Sequence, residues 1–300
     1  MSNQISDLEV LAFIAEVDAF YPPDAVALSI EEQRARYDRM AAHFLAPRPS
    51  GMETRDSRIA DVACRHYPGG APRVVFFHGG GFVVGGLDSH DDVCAEIAHR
   101  TGLAVTAVDY RLGPEHLHPA AFDDALAVTR ALLGEGPVIL CGDSGGGTLA
   151  ASTAWALRGD GRVSGQALIY PALGGERLGL PSYTAQAEAP LLSTRDVQAY
   201  ARLRAGGAPP LEDPSFAVFA ATGLSGIAPA FISAAACDPL CDDGPEYQRR
   251  LAAEGIAVDC VVEPQLPHMW LRARHRSARA GAAFDRVIAG IATLAAHPSS

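Results

Sequence analysis

The chain has 300 residues, 48% hydrophobic and 20% charged, with a formal net charge of −11 at pH 7. That size suits one main α/β core with an elaboration, and the acidic balance argues against nucleic acid or an anionic membrane as partner, because both need clustered basic residues. All 24 basic residues are arginine, which excludes a lysine nucleophile or Schiff base.

The apolar runs are too short to span a bilayer. The stretch Met1 to Val10 has two acids and no base, and does not read as a signal peptide, so a cytoplasmic location is expected. Cys64, Cys94, Cys141, Cys237, Cys241 and Cys260 lack the paired spacing of a zinc site, and neither a metal nor a structural disulfide is expected.

In chain order, the first fifty residues carry helix patterns. Ser29 and Glu32 are spaced as a capping box ahead of a run to Phe44, and Pro47, Pro49 and Gly51 mark a boundary. From about Arg58 the chain alternates short apolar runs with helical stretches, the signature of βα units and a mostly parallel sheet. Strands are predicted at Ile59–Arg65, Arg73–Phe77, Ala104–Val108, Val138–Cys141, Ala167–Tyr170, Ala230–Ala234 and Val258–Glu263. Helices are predicted at Asp91–His99, Ala120–Leu133, Gly146–Arg158, Pro245–Glu254 and Arg276–Ala295. Residues 173–221 break the alternation with a Gly- and Pro-rich insertion holding one helix, from near Ser193 to Arg204. The expected organisation is a helical cap from residues 1–50 and 173–221 over an α/β core of residues 51–172 and 222–300.

Gly142-Asp143-Ser144-Gly145-Gly146 follows one predicted strand and opens a helix. That context is a nucleophile elbow: a serine on a tight strand-to-helix turn, with glycines two positions to either side so that the chain can bend sharply. The helix start aims free N–H groups, notably that of Gly145, at charge developing beside Ser144. A phosphate-binding turn is the rival reading, but it would need an accompanying lysine, and the chain has none. His78-Gly79-Gly80-Gly81-Phe82 lies at another strand end, where the N–H groups of Gly79 and Gly80 would join that of Gly145 as an oxyanion hole.

A serine hydroxyl needs a base, and the base needs a partner that fixes its tautomer. His268 follows the last predicted strand and Asp238 the one before it, which gives the order serine, aspartate, histidine of the α/β-hydrolases. Gly-Asp-Ser-Gly-Gly is also the serine motif of trypsin-like proteases, but those are all-β and place histidine and aspartate before the serine.

With these residues in place, the chain resembles the hormone-sensitive-lipase-like esterases, the bacterial branch called family IV. The resemblance rests on His78 to Phe82, the block Asp109-Tyr110-Arg111-Leu112-Gly113-Pro114-Glu115-His116, the serine turn, Asp238-Pro239-Leu240 with Asp242, and His268. It implies an eight-stranded hydrolase core with a helical cap and carboxylesterase activity, and because the cap segments are long enough to roof the site, short- to medium-chain acyl esters are the expected substrates. The chain departs from the family in having Gly145 after the nucleophile, Gly113 in the middle block, and Met269-Trp270 after the histidine. Phe82, Asp143, Met269 and Trp270 are the expected substrate contacts, with Trp270 as a bulky pocket edge. Arg111 and Glu115 are expected to form ion pairs near the active-site loops. A small-molecule ester is the expected partner; a homodimer is allowed and no cofactor is required. An amidase or lactonase on the same triad, or a non-catalytic receptor on the same fold, stay open as alternatives.

Overall fold

A computed structural model describes residues 5–21 and 28–296. Met1–Gln4 of the stretch read for a leader lie outside them, as do residues 22–27 of the N-terminal cap segment. Eight strands form one sheet in the order β1-β2-β4-β3-β5-β6-β7-β8. They are β1 (Arg55–Ile59), β2 (Val62–Tyr67), β3 (Gly70–Phe77), β4 (Leu103–Asp109), β5 (Val138–Asp143), β6 (Val163–Ile169), β7 (Ala230–Cys237) and β8 (Val258–Pro267). All neighbours from β4 to β8 pair in parallel, while β2 runs antiparallel to both β1 and β4.

The single strand expected at Ile59–Arg65 is a hairpin, which corrects that reading. Ala60 and Asp61 carry φ of 49° and 63° at its tip, the two left-handed residues that a two-residue hairpin turn demands. Without glycine or asparagine there, the turn leaves little trace in the sequence.

Side chains of the parallel strands alternate between two cores, as the period of two requires. Val74 and Phe76 face a cluster with Ile97, Phe284, Val287 and Ile291, and Val75 and Phe77 face one with Leu132, Leu149 and Tyr247. The helices of those clusters are α3 (Asp91–Thr101) and α10 (Ala278–Ala296) on one face, and α4 (Ala120–Leu133), α5 (Gly145–Ala156) and α9 (Asp243–Ala253) on the other. Both faces of the sheet are therefore covered, and its central strands are apolar at most positions.

Helices α1 (Leu8–Asp18) and α2 (Ile30–Phe44) come from the N-terminal segment. α1 buries Val10, Phe13 and Val17, one helical stripe. α2 starts with the capping box of Ser29 and Glu32 and buries Tyr37, Met40 and Phe44. The insertion contributes the short α6 (Gly175–Leu178) and α7 (Ser182–Ala185), then α8 (Thr194–Ala205), capped by Ser193 and Asp196. Among the described residues no helix is long and apolar enough to cross a membrane.

Candidate active site

Sheet register brings the chemistry together. Phe77 pairs with Gly142, so the turn at His78–Gly81 leaves β3 beside the turn at Ser144. Cys237 pairs with Pro267, so Asp238 and His268 leave β7 and β8 side by side. Four strands thus deliver their next residues to one edge of the sheet, the usual ligand-binding edge of open α/β sheets.

Ser144 sits between β5 and α5 at φ 54°, ψ −121°, a conformation that costs a non-glycine residue of order 1–3 kcal/mol. Its N–H bonds Ile169 O at 2.9 Å, which holds the turn against β6. His268 Nε2 lies 2.8 Å from Ser144 Oγ, and His268 Nδ1 lies 2.6 Å from Asp238 Oδ2. Asp238 is fully buried, and its other oxygen accepts the Leu240 N–H at 2.9 Å. With Nδ1–H donated to the carboxylate, Nε2 is left as the acceptor for the serine hydroxyl. Such a series can activate the hydroxyl as a nucleophile and return its proton to a leaving group. The neighbouring acids are spent elsewhere: Asp242 accepts the Ser182 N–H, while Asp243 accepts the Leu173 and Gly175 N–H groups and the Tyr183 hydroxyl.

The oxyanion expectation needs one correction. The Gly79 N–H is donated to Asp143 Oδ1 at 2.7 Å and points away from the serine. Gly80 and Gly81, with φ of 124° and 59°, turn the chain back over Ser144. Gly81 N lies 3.5 Å from where a Cβ on Gly145 would stand. No acceptor among the described residues takes the N–H of Gly80, Gly81 or Gly145, and these glycines line the cavities at Ser144. A methyl group at Gly145 would press on the Phe82 ring at 3.1 Å, so the glycine that departs from the family pattern matches a ring that stands close.

Asp143 therefore supports the oxyanion turn as well as lining the site. His90 Nε2 lies 3.2 Å from its Oδ1 and the Tyr170 hydroxyl 3.4 Å from its Oδ2. Burial pushes this carboxyl upward, but His90, Arg272 and the Gly79 N–H outweigh burial and hold it well below the usual carboxylate range. His78 is buried against Tyr110, its ring stacked at 4.3 Å, and desolvation lowers it to about 4, so it is neutral. Tyr110 donates to His78 O at 2.6 Å.

Two cavities meet at Ser144. The larger, about 790 Å³, is lined by His268, Met269, Gly80, Tyr37 and Arg272 and roofed by α1 and residues 188–196. The smaller, about 100 Å³, lies beyond Gly145 and is walled by Phe82, Thr148, Leu192, Val197 and Phe216. Arg204 reaches down from α8 between the Phe82 and Phe216 rings, at 3.8 and 4.1 Å from their centres.

Met269 and Phe82 thus line cavities as expected, but Trp270 does not. Met269 adopts φ 63°, which swings the next residue inward, and Trp270 is 0% exposed, packed edge-on against Tyr170 at 5.6 Å. It supports the floor of the site and has no access to a ligand. The expected ion pairs exist: Arg111 bonds Asp124, and Glu115 bonds Arg34 of α2. Arg34, Tyr37, Gly81, His90, Arg204 and Arg272 were not legible as site residues, because only the fold brings their distant segments together.

Residues 74–272 match the family described as alpha/beta hydrolase fold. The chain is 40% identical over 209 residues to an esterase of Mycobacterium tuberculosis, LipI, across 66% of this chain and 65% of that protein. It thus spans a little under two thirds of that relative. It is 32% identical over 269 residues to an ethyl acetate hydrolase of Pseudomonas putida, across 82% of this chain and 84% of that one. An esterase structure from Pyrobaculum calidifontis superposes with a TM-score of 0.85 at 28% identity, over 93% of this chain and 97% of that chain. With the strand order, the elbow and these matches in agreement, the chain belongs to the alpha/beta hydrolase fold family.

Proposed function

We propose that the protein is a serine carboxylesterase in which Ser144 is the nucleophile, His268 the general base and acid, and Asp238 the group that orients the histidine. The observation that carries this is the unbroken series from Asp238 through His268 to Ser144, at 2.6 and 2.8 Å, with three backbone donors beside it. Relatives named esterase and ethyl acetate hydrolase support the reading. Ser144 attacks the ester carbonyl, His268 takes its proton, and the oxyanion is held by the Gly80, Gly81 and Gly145 N–H groups. His268 then protonates the departing alcohol and activates the water that clears the acyl-enzyme.

The two cavities divide the substrate. The alcohol oxygen must leave within reach of His268, which lines only the larger cavity. The acyl chain then enters the smaller one, whose volume of about 100 Å³ is about an eighth of the larger cavity's 790 Å³. Esters of short acids with bulky alcohols fit this division. Each methylene that fits adds about 0.8 kcal/mol of burial, whereas a chain that meets the wall loses its reactive geometry. Among p-nitrophenyl esters from acetate to palmitate, kcat/KM should peak at about two to six acyl carbons and fall steeply beyond about eight. Val197→Ala should lengthen the preferred acyl chain by about one or two carbons. A wild-type maximum at about twelve carbons or more, or a Val197→Ala change confined to alcohol preference, contradicts the division.

A further inference from the structure

The oxyanion turn is tied to the cap by a buried chain of polar contacts that passes through no triad residue. It begins on α2, where the Tyr37 hydroxyl accepts Arg272 Nη2–H at 2.8 Å. Arg272 Nη1–H reaches Ser89 O at 3.0 Å, and Ser89 Oγ lies 2.9 Å from His90 Nδ1. His90 Nε2 meets Asp143 Oδ1 at 3.2 Å, and that oxygen takes the Gly79 N–H at 2.7 Å. Tyr37, Ser89, His90, Asp143 and Arg272 are all buried. A second tie runs in parallel, because Arg34, one turn earlier on α2, donates Nε–H to Val83 O at 2.9 Å and so grips the far limb of the same turn.

We propose that His90 is a positioning residue for the oxyanion hole, and that it couples the seating of α2 and the occupant of the larger cavity to the aim of the Gly80 and Gly81 N–H groups.

Three considerations carry the proposal, which rests on the esterase reading. The first is geometric. Gly79 is the residue from which the two free donors hang, and it is bonded to the nucleophile turn through Asp143. A Cβ on Gly79 would clash with the Asp143 carboxylate, so the two are in full contact, and displacing the carboxylate displaces the turn. Donors in an oxyanion hole act only within a narrow range of position, and a misplacement of about 1 Å can cost about 100-fold in rate.

The second is electrostatic. A buried carboxylate one residue from the nucleophile opposes negative charge growing on the substrate oxygen. The His90 ring at 3.2 Å from Asp143 Oδ1 and the attraction of the nearby Arg272 guanidinium counter that carboxylate and leave the backbone donors to act on the oxyanion. The third is location. Tyr37, His90, Asp143 and Arg272 also line the larger cavity, where the alcohol portion is placed. A bulky alcohol that packs on Tyr37 and Arg272 therefore presses on the same chain of contacts that aims the donors, which is a route for remote binding energy to appear in kcat.

The test uses full-length protein with His90→Leu, His90→Gln and Tyr37→Phe. Gln can present its amide N–H near the place of His90 Nε2, whereas Leu fills space without a donor. kcat and KM are measured for acetate esters of a small and a bulky alcohol, together with affinity for a trifluoromethyl ketone, whose hemiketal oxyanion needs the hole. His90→Leu should lower kcat about 10- to 100-fold with KM within about twofold, and weaken the ketone by a similar factor. His90→Gln should recover most of both losses. Tyr37→Phe should lower kcat by about three- to tenfold for the bulky ester and less for the small one. Equal effects of Leu and Gln, a change in KM alone, or ketone affinity that stays at the wild-type level in His90→Leu overturns the proposal while the esterase reading stands. Wild-type protein inert toward every ester overturns both.

Discussion

The floor and the roof of the site are built differently. The floor is strand ends: Asp238 is 0%, His268 4% and Asp143 5% exposed, and each is bonded on more than one side to groups that sheet register places. The roof is held at separate points. Along α8 only Arg204 is buried, wedged between two phenylalanine rings and donating to Phe216 O at 2.9 Å. The start of the insertion hangs on Asp242 and Asp243 through Ser182, Leu173 and Tyr183. The difference separates two tasks: reacting atoms must be held to fractions of an ångström, whereas size selection needs only a wall, and a wall tolerates looser anchoring.

That contrast can be broken hardest at the nucleophile. Ser144→Ala should lower kcat by about 10³-fold or more while the protein stays folded, the residual rate coming from the oxyanion donors and binding. His268→Ala and Asp238→Asn should follow it closely, read by steady-state kinetics on p-nitrophenyl acetate. Retention of a tenth of wild-type activity by folded Ser144→Ala protein removes the floor from catalysis.

A smaller effect is expected beneath the floor. Trp270→Ala deletes a fully buried indole and should cost about 3–5 kcal/mol of stability, measured by urea unfolding. The acyl-chain profile of the surviving folded enzyme should match the wild type, because the ring does not reach either cavity. A shifted profile would place Trp270 back at the pocket edge.

The smallest effect belongs to the roof. Burial raises the Asp243 carboxyl from 3.8 to about 7, although the Leu173 and Gly175 N–H groups and the Tyr183 hydroxyl oppose this. The folded state therefore holds a proton that the unfolded chain releases near pH 4. Stability from this group is full below about pH 4, declines as the pH rises to about 7, and is flat above. Comparing Tm at pH 5 and pH 8, Asp243→Asn should show a shallower decline than the wild type. Equal declines would remove Asp243 from the pH dependence.

Much of the floor was legible in the sequence and little of the roof. Ser144, Asp238 and His268 each follow an apolar run, and chain order alone assigns them to strand ends. Spacing does not distinguish Gly79 from Gly81 as an oxyanion donor, because the direction of an N–H depends on the φ of Gly80 and Gly81 and on a carboxylate 64 residues away. Trp270 was misplaced for a similar reason: a left-handed Met269 reverses which neighbour faces the ligand. The capping box of Ser29 and Glu32 and the start of a helix near Ser193 are local and visible in the sequence, but what α2 and α8 grip, through Arg34, Tyr37 and Arg204, is set by tertiary contact alone.

At the centre of the floor, backbone rests on backbone. A Cβ on Gly146 would strike the carbonyls of Phe77 and His78, and one on Gly142 would strike those of Gly146 and Phe77. The serine turn and the glycine-rich turn are thus a single interlocked piece, and any added side chain at either position would pry the nucleophile from its donors. A change of ester preference that leaves this chemistry intact is then expected from side chains that only wall the cavities, such as Leu192 and Val197.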